Sequence, residues 1–193
     1  MPVFRNFTMK EVFLITRNSG KLLAARKVFS KYNIQVKPIK KEYPEIQAKS
    51  SLEIARFTAL EAIKDFKVPL IREDHSLFIH ALNGFPGPYT NYFDKTIPVE
   101  TLTEILSKFE DRSAHMELAA ILVFPDGKFY EFVYQVPLKI SKKIKGNRGN
   151  WDKILMLSDD NQTFSESEED ARLDIWTKNY KEIAKLLSTK IKK

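Results

Sequence analysis

The first part of the chain alternates short apolar runs with amphipathic stretches. Residues 12–15 are an apolar run that reads as a buried strand. The polar turn Thr16-Arg17-Asn18-Ser19-Gly20-Lys21 follows. Leu22, Ala25, Phe29 and Tyr32 are then spaced for one face of a helix over residues 21–32. Residues 34–39 predict a second strand. Ser50 and Glu53 have capping-box spacing and open a helix to about residue 66, with Ile54, Phe57, Ile63 and Phe66 in its apolar stripe. Residues 69–72 predict a third, short strand that ends in Glu73-Asp74. This β-α-β-α-β order belongs to an α/β sheet.

The second part changes character. Leu102, Ile105, Leu106 and Phe109 predict a helix over residues 99–109. Residues 114–124 and 128–136 are apolar runs joined at Pro125-Asp126-Gly127, and Asp-Gly between such runs signals a hairpin. Residues 138–144 predict a further strand. Trp176, Tyr180, Ile183, Leu187 and Ile191 fall on one face of a final helix. The fold class expected is α/β: a two-lobed mixed sheet with flanking helices and a central cleft. It forms one domain over residues 1–193. Lobe one covers roughly residues 1–97 plus the C-terminal helix, and lobe two roughly 98–160. Clefts between lobes commonly hold ligands.

Composition narrows the chemistry. Of 193 residues, 43% are hydrophobic and 12% aromatic, enough for a packed core. There is no cysteine, which excludes disulfides, thiolate catalysis and cysteine-ligated zinc. No apolar run reaches the ~18 residues of a membrane span, and residues 1–10 lack the apolar stretch of a signal peptide, so a cytoplasmic protein is expected. The net charge of +7 attracts anions. The basic residues are spread out, the densest cluster being residues 139–145 with Arg148. They read as a solvated surface, and a nucleic-acid partner is not expected. His75, His80 and His115 are too scattered in sequence to predict a metal cluster.

Anion chemistry concentrates early. A strand that runs through a polar turn into a helix presents free backbone N–H groups at the helix start. Asn18 adds a side-chain donor, Gly20 lets the backbone come close, and Lys21 adds a full charge. The glycine spacing is not that of a Walker loop. Glu45, in Pro44-Glu45-Ile46-Gln47, and the pair Glu73-Asp74 are set where the carboxyl ends of strands line a ligand crevice. Hard oxygen donors beside phosphate-binding groups suit Mg²⁺.

These segments resemble the inosine/xanthosine triphosphate pyrophosphatases, the Ham1-like family. Thr16 to Lys21 resembles its T-x-N-x-x-K turn, and Tyr43-Pro44-Glu45-Ile46-Gln47 its L/Y-P-E-I-Q segment. Glu73-Asp74-His75-Ser76-Leu77 resembles E/D-D-S/T-G-L. Ala81-Leu82-Asn83-Gly84-Phe85-Pro86-Gly87-Pro88-Tyr89 is similar to A-L-x-G-x-P-G-x-Y. Glu110 to Ala114 resembles the family segment before its hairpin. The resemblance implies a Mg²⁺-dependent enzyme that cleaves a nucleoside triphosphate to a monophosphate and pyrophosphate, as house-cleaning of deaminated purine nucleotides. It also implies a homodimer. Glu45, Glu73 and Asp74 would hold magnesium, and Asp74 would activate water. Thr16, Asn18 and Lys21 would hold the triphosphate, with Lys21 also catalytic.

The last third departs from the family. Its F-G-[YW]-D-P segment here reads Gly149-Asn150-Trp151-Asp152-Lys153, with Gly149 where the base-stacking Phe stands. Its S-H-R triplet falls on Trp176-Thr177-Lys178, and Arg172 stands where the family has Lys. A Lys usual in the second helix falls on Thr58, and His75 replaces a small residue. Trp151, Asp152, Arg172 and Lys178 are the expected base- and substrate-binding residues, and Trp151 or Trp176 could replace the lost stacking. Altered or relaxed base choice follows. A catalytically impaired nucleotide-binding protein on the same fold is the alternative.

Overall fold

The structure is a computed structural model and describes residues 11–44, 46–168 and 173–191. In chain order its elements are β1 (Glu11–Ile15), α1 (Ser19–Phe29), β2 (Gln35–Ile39), α2 (Ser51–Ala62), β3 (Leu70–Ile79), β4 (Pro86–Gly87), α3 (Thr90–Thr96), α4 (Val99–Leu106), β5 (Ser113–Val123), β6 (Phe129–Ile140), β7 (Leu155–Leu157), α5 (Leu173–Trp176) and α6 (Lys178–Ile191). The mixed sheet has the order β2-β1-β3-β5-β6-β7, with β4 on β3. β1 runs parallel to β2 and β3, and the remaining pairs are antiparallel. The fold is the mixed α/β class expected.

Alternation along the strands assigns the two faces. Leu70, Ile121, Val123 and Ile15 turn to α2, which meets them with Ala55, Ala59 and Ala62. These small residues let the helix approach closely. Ile71, Ala120, Leu122, Val12 and Leu14 turn the other way, to α1 and α6, where Phe29, Tyr180, Ile183 and Leu187 cover them. Further along that second face lies another core, built on Leu77, Leu118 and Val136 with Leu102 and Leu106 of α4 and Trp151.

Several boundaries move. The third strand does not stop at Glu73-Asp74. It continues to Ile79 because β5 pairs with it throughout, from Leu70↔Val123 to Ile79↔Ala114. The two carboxylates are therefore mid-strand, and neighbours on a strand face opposite ways. The strand expected over residues 138–144 is the end of β6, which stops at Ile140. The second helix ends at Ala62, short of Phe66. Trp176 is not on the final helix: it closes the four-residue α5, and α6 starts at Lys178.

The pairing of β3 leaves a gap that positions the site. β5 occupies one edge along its whole length. On the other edge β1 pairs only with Leu70, Ile71 and Arg72, and β4 only with Leu77 and Phe78. Residues Glu73 to Ser76 lie between these partners, where β1 has turned away into the 16–21 segment.

Candidate functional site

The turn after β1 closes on itself through its own side chains. Thr16 Oγ1 accepts from Asn18 N (3.0 Å), and Asn18 Oδ1 accepts from Lys21 N (3.1 Å) as the N-cap of α1. This seats Lys21 against the gap, where its Nζ donates to the Glu73 carbonyl oxygen at 3.2 Å. Burial pushes the Lys21 ammonium below its ordinary pKa, with Glu73 and Asp74 opposing.

Glu73 is 3% exposed, an unusual place for a carboxylate. Tyr180 OH of α6 donates to its Oε2 at 2.7 Å, and His75 Nε2 lies 3.1 Å from the same oxygen. Its Oε1 is buried with no partner. Burial favours the neutral acid, but His75, Lys21 and the Tyr180 hydroxyl outweigh it and hold the carboxyl below its ordinary value. Burial first, then Lys21, pushes His75 below the usual histidine value.

Glu73 and His75 open into a cavity of about 620 Å³ on the α1/α6 face, between the two cores. Asn18, Ser19, Gly20 and Lys21 line one side, and Phe164, Trp176 and Met116 another. Trp176 stacks loosely on His75 (centroids 6.1 Å, planes 26° apart) and meets Phe164 edge-on at 5.7 Å. Asp152 and Gly149 lie at the rim. Gly149 has φ +65°, and a Cβ there would stand 2.5 Å from Asp152 Oδ2. A Phe here, as in the family pattern, would therefore be strained by the backbone and crowded by the Asp152 side chain.

The opposite face carries Arg72, Asp74 and Ser76. Arg72 Nη2 lies 3.8 Å from Asp74 Oδ1, and Ser76 Oγ is hydrogen-bonded to Ser51 Oγ of α2 at 2.5 Å. A second cavity, of about 330 Å³, opens here beside Thr16, Arg17, Lys41, Thr58 and Arg72.

Measured against the sequence expectations, Thr16, Asn18, Lys21, Glu73 and Asp74 gather around the gap. Glu73 and Asp74 do so from opposite faces, not side by side. Trp151 is not a base platform: its ring is 1% exposed in the second core, and its Nε1 donates to Ile97 O at 2.9 Å. Lys178 does not face the larger cavity either. Its ammonium sits over the Tyr134 ring, 3.6 Å from the centroid, and bonds the Tyr134 hydroxyl. Glu45 and Arg172 lie outside the described residues. His80 and His115, far apart in sequence, do meet, with Nε2 and Nδ1 2.9 Å apart. Among the described residues, no three acidic or histidine side chains form a metal-holding group. The donors present suit an ion that takes its other ligands from phosphate and water. The buried, unpartnered Glu73 Oε1 is one of these donors. Sequence reading missed Arg72, and Tyr180 as the partner of Glu73. Alternation along a longer β3 would have shown the first, but a contact between residues 73 and 180 has no local signal.

Residues 12–185 match the model of the Ham1 family. The chain is 40% identical over 183 residues to a dITP/XTP pyrophosphatase of Ignicoccus hospitalis, covering 93% of this chain and 97% of that protein. It is 32% identical to the dITP/XTP pyrophosphatase of Thermococcus kodakarensis, over 92% of this chain and 97% of that one. Among solved structures, a HAM1 protein from Coxiella burnetii superposes with a TM-score of 0.77 at 20% identity, covering 93% of this chain and 98% of its own. The Staphylococcus aureus Ham1 protein superposes with a TM-score of 0.76 at 22% identity, covering 94% and 98%. The family model over residues 12–185 and the relative at 40% identity show that this chain belongs to the Ham1 family.

Proposed function

We propose that the protein hydrolyses nucleoside triphosphates to monophosphate and pyrophosphate with Mg²⁺, acting on deaminated purine nucleotides with relaxed base choice. The observation that carries this reading is the gap in β3. Lys21, Glu73 and Asp74 surround it, and the aromatic-walled cavity opens on one side. The relatives named dITP/XTP pyrophosphatase support it.

Lys21 and the turn N–H groups hold the triphosphate at the gap. Glu73 and Asp74, with Glu45 by family resemblance, would hold magnesium, which neutralises phosphate charge when bound. Asp74 takes the proton of the attacking water. The bond broken is the α–β anhydride, so pyrophosphate leaves and the monophosphate retains the base. The base sits against Trp176 in the larger cavity. Trp176 stands in place of the lost Phe, and without the His-Arg pair of the family pattern the base is read less strictly. The exposed Phe85, Tyr89 and Tyr92 offer apolar surface for the homodimer we infer, which analytical ultracentrifugation checks.

The test is a pyrophosphate-release screen over common and deaminated nucleoside triphosphates, with magnesium or with EDTA. Release from inosine or xanthosine triphosphates that stops with EDTA is the expected result. Nucleotide binding without release under every condition would sink the proposal in favour of a binding protein.

A further inference from the structure

Outside both cavities, one cluster of side chains has no part in the proposed hydrolysis. The register that sets Phe78 opposite His115 brings His80, the residue after β3 ends, beside Ser113 at the start of β5. His80 Nδ1 lies 2.7 Å from Ser113 Oγ, and His80 Nε2 lies 2.9 Å from His115 Nδ1. None of these residues lines either cavity. Their hydrogen bonds fix the protons. Asp111 Oδ1 accepts from the Ser113 backbone N–H at 2.8 Å and from the Ser113 hydroxyl at 2.6 Å. These bonds hold the Asp111 carboxyl below the usual carboxylate range, so it stays an acceptor. The hydroxyl proton of Ser113 is thus committed to Asp111, and its Oγ accepts from the His80 Nδ1–H. Neutral His80 then turns its Nε2 lone pair towards His115. His115 is held as firmly, with its ring flat on Phe78 (centroids 4.9 Å, planes 5° apart). Burial, then His80, pushes His115 below the ordinary histidine value, which keeps it neutral at pH 7.

We propose that His80 Nε2 and His115 Nδ1 hold a divalent transition-metal ion of the zinc type, with water in its remaining positions. The site goes beyond the proposed hydrolysis and does not rest on it. Neutral imidazole suits zinc, nickel and copper, whereas magnesium prefers oxygen. Between two neutral rings, the proton on His115 Nδ1 bridges the facing nitrogens. When the metal enters, that proton moves to His115 Nε2, so each ring stays neutral with one N–H and one ligating nitrogen. Two nitrogens roughly 2.0 Å from one tetrahedral ion lie about 3.3 Å apart, so the rings part by only a few tenths of an ångström. The Asp111–Ser113 arm is the kind of outer partner that metal-bound histidines have, because it fixes which nitrogen of His80 carries the proton. Among the described residues no third acidic or histidine side chain joins the pair, so the ion stays open to solvent. It ties the end of β3 to the start of β5, and its effect is on stability rather than turnover.

The test is calorimetric titration of zinc chloride into the full chain, with magnesium in excess to occupy the carboxylate centre. Wild type should bind one zinc ion per chain, and saturating zinc should raise Tm by roughly 5 °C or more. His80→Gln and His115→Asn put an amide near each ligating nitrogen, which keeps a polar contact and removes the ligand. Each should weaken zinc binding by at least roughly a hundredfold, more than the loss of an outer partner costs. Ser113→Ala leaves both imidazoles in place and releases the His80 tautomer, so it should weaken binding roughly ten- to a hundredfold. Zinc drawn merely to an exposed histidine would not respond to Ser113. His80 and Ser113 are exposed, so their variants disturb no core. Wild type that binds no zinc under excess magnesium overturns the inference. So does zinc binding unchanged in His80→Gln or His115→Asn, or wild-type affinity in Ser113→Ala.

Discussion

At the scale of single residues, the site sets charge against burial. Asp74→Asn preserves size and removes the basic oxygen, so pyrophosphate release should fall by roughly a hundredfold or more with the far-ultraviolet circular dichroism unchanged. Turnover at the wild-type rate would remove Asp74 from the chemistry. Tyr180→Phe removes the hydroxyl that donates to Glu73 Oε2 at 2.7 Å inside the core. Loss of a hydrogen bond to a buried charge should destabilise the fold by about 2 kcal/mol at neutral pH. The sign of its pH dependence follows from the depressed folded pKa of Glu73. Stability from that depression is present above the unfolded pKa and is lost as pH falls through the folded one. The penalty of Tyr180→Phe should therefore shrink as pH falls below the ordinary glutamate value, and be lost once pH passes the lower folded value, where the carboxyl is protonated in both states. Urea titrations of both proteins at neutral and acid pH give the comparison.

Among the elements, the loop from β6 to β7 does more than connect. Asn150 fastens it to the start of α4. Its Nδ2 donates to Asp94 O (2.5 Å) and Ile97 O (2.8 Å), and its Oδ1 accepts from Val99 N (2.9 Å). α4 has Pro98 at its N-cap position, with no side-chain cap of its own, so Asn150 supplies the cap from a distance. Asn150→Ala should cost about 2–3 kcal/mol in a denaturant titration, the sum of a lost cap and two further bonds. Gly149, beside it, is fixed by its left-handed φ and by Asp152. Gly149→Phe, which would recreate the family pattern, should cost at least about 1–2 kcal/mol from backbone strain alone. A variant as stable as wild type would show that the loop has another conformation within easy reach.

On the scale of the whole molecule, two cores on one sheet face leave the larger cavity between them, and the proposed function puts base choice there. On that proposal the aromatic wall of Trp176, Phe164 and His75 would stack on any purine, and Lys178, the one cation left of the family's triplet, is engaged with Tyr134. Inosine triphosphate should therefore be favoured over adenosine or guanosine triphosphate by no more than roughly tenfold in kcat/KM, about 1.4 kcal/mol. Steady-state kinetics decide it, and a thousandfold preference would mean that other residues read the base. The net charge of +7 acts over longer range. Binding to long RNA should be weak and should collapse steeply as salt rises.

Much of this was legible in the chain itself because it is local. The capped turn from Thr16 to Lys21, the Ser50 cap of α2 and the Asp126-Gly127 hairpin depend on residues within a few positions of one another. The order of motifs was enough to place the family. Local signals could not tell where β3 stops, because pairing with a strand more than forty residues later carries it through two charged residues. That continuation puts Glu73 and Asp74 on opposite faces of the sheet. Nor could apolar spacing separate Trp151, which fills a core, from Trp176, which faces a cavity. A tryptophan looks the same in either role until the elements around it are in place. Short-range chemistry thus determined the turn from Thr16 to Lys21, the helix starts and the family. Long-range packing alone decided which carboxylate faces which side of the sheet, because side-chain direction on a strand is set by register with partners distant in sequence.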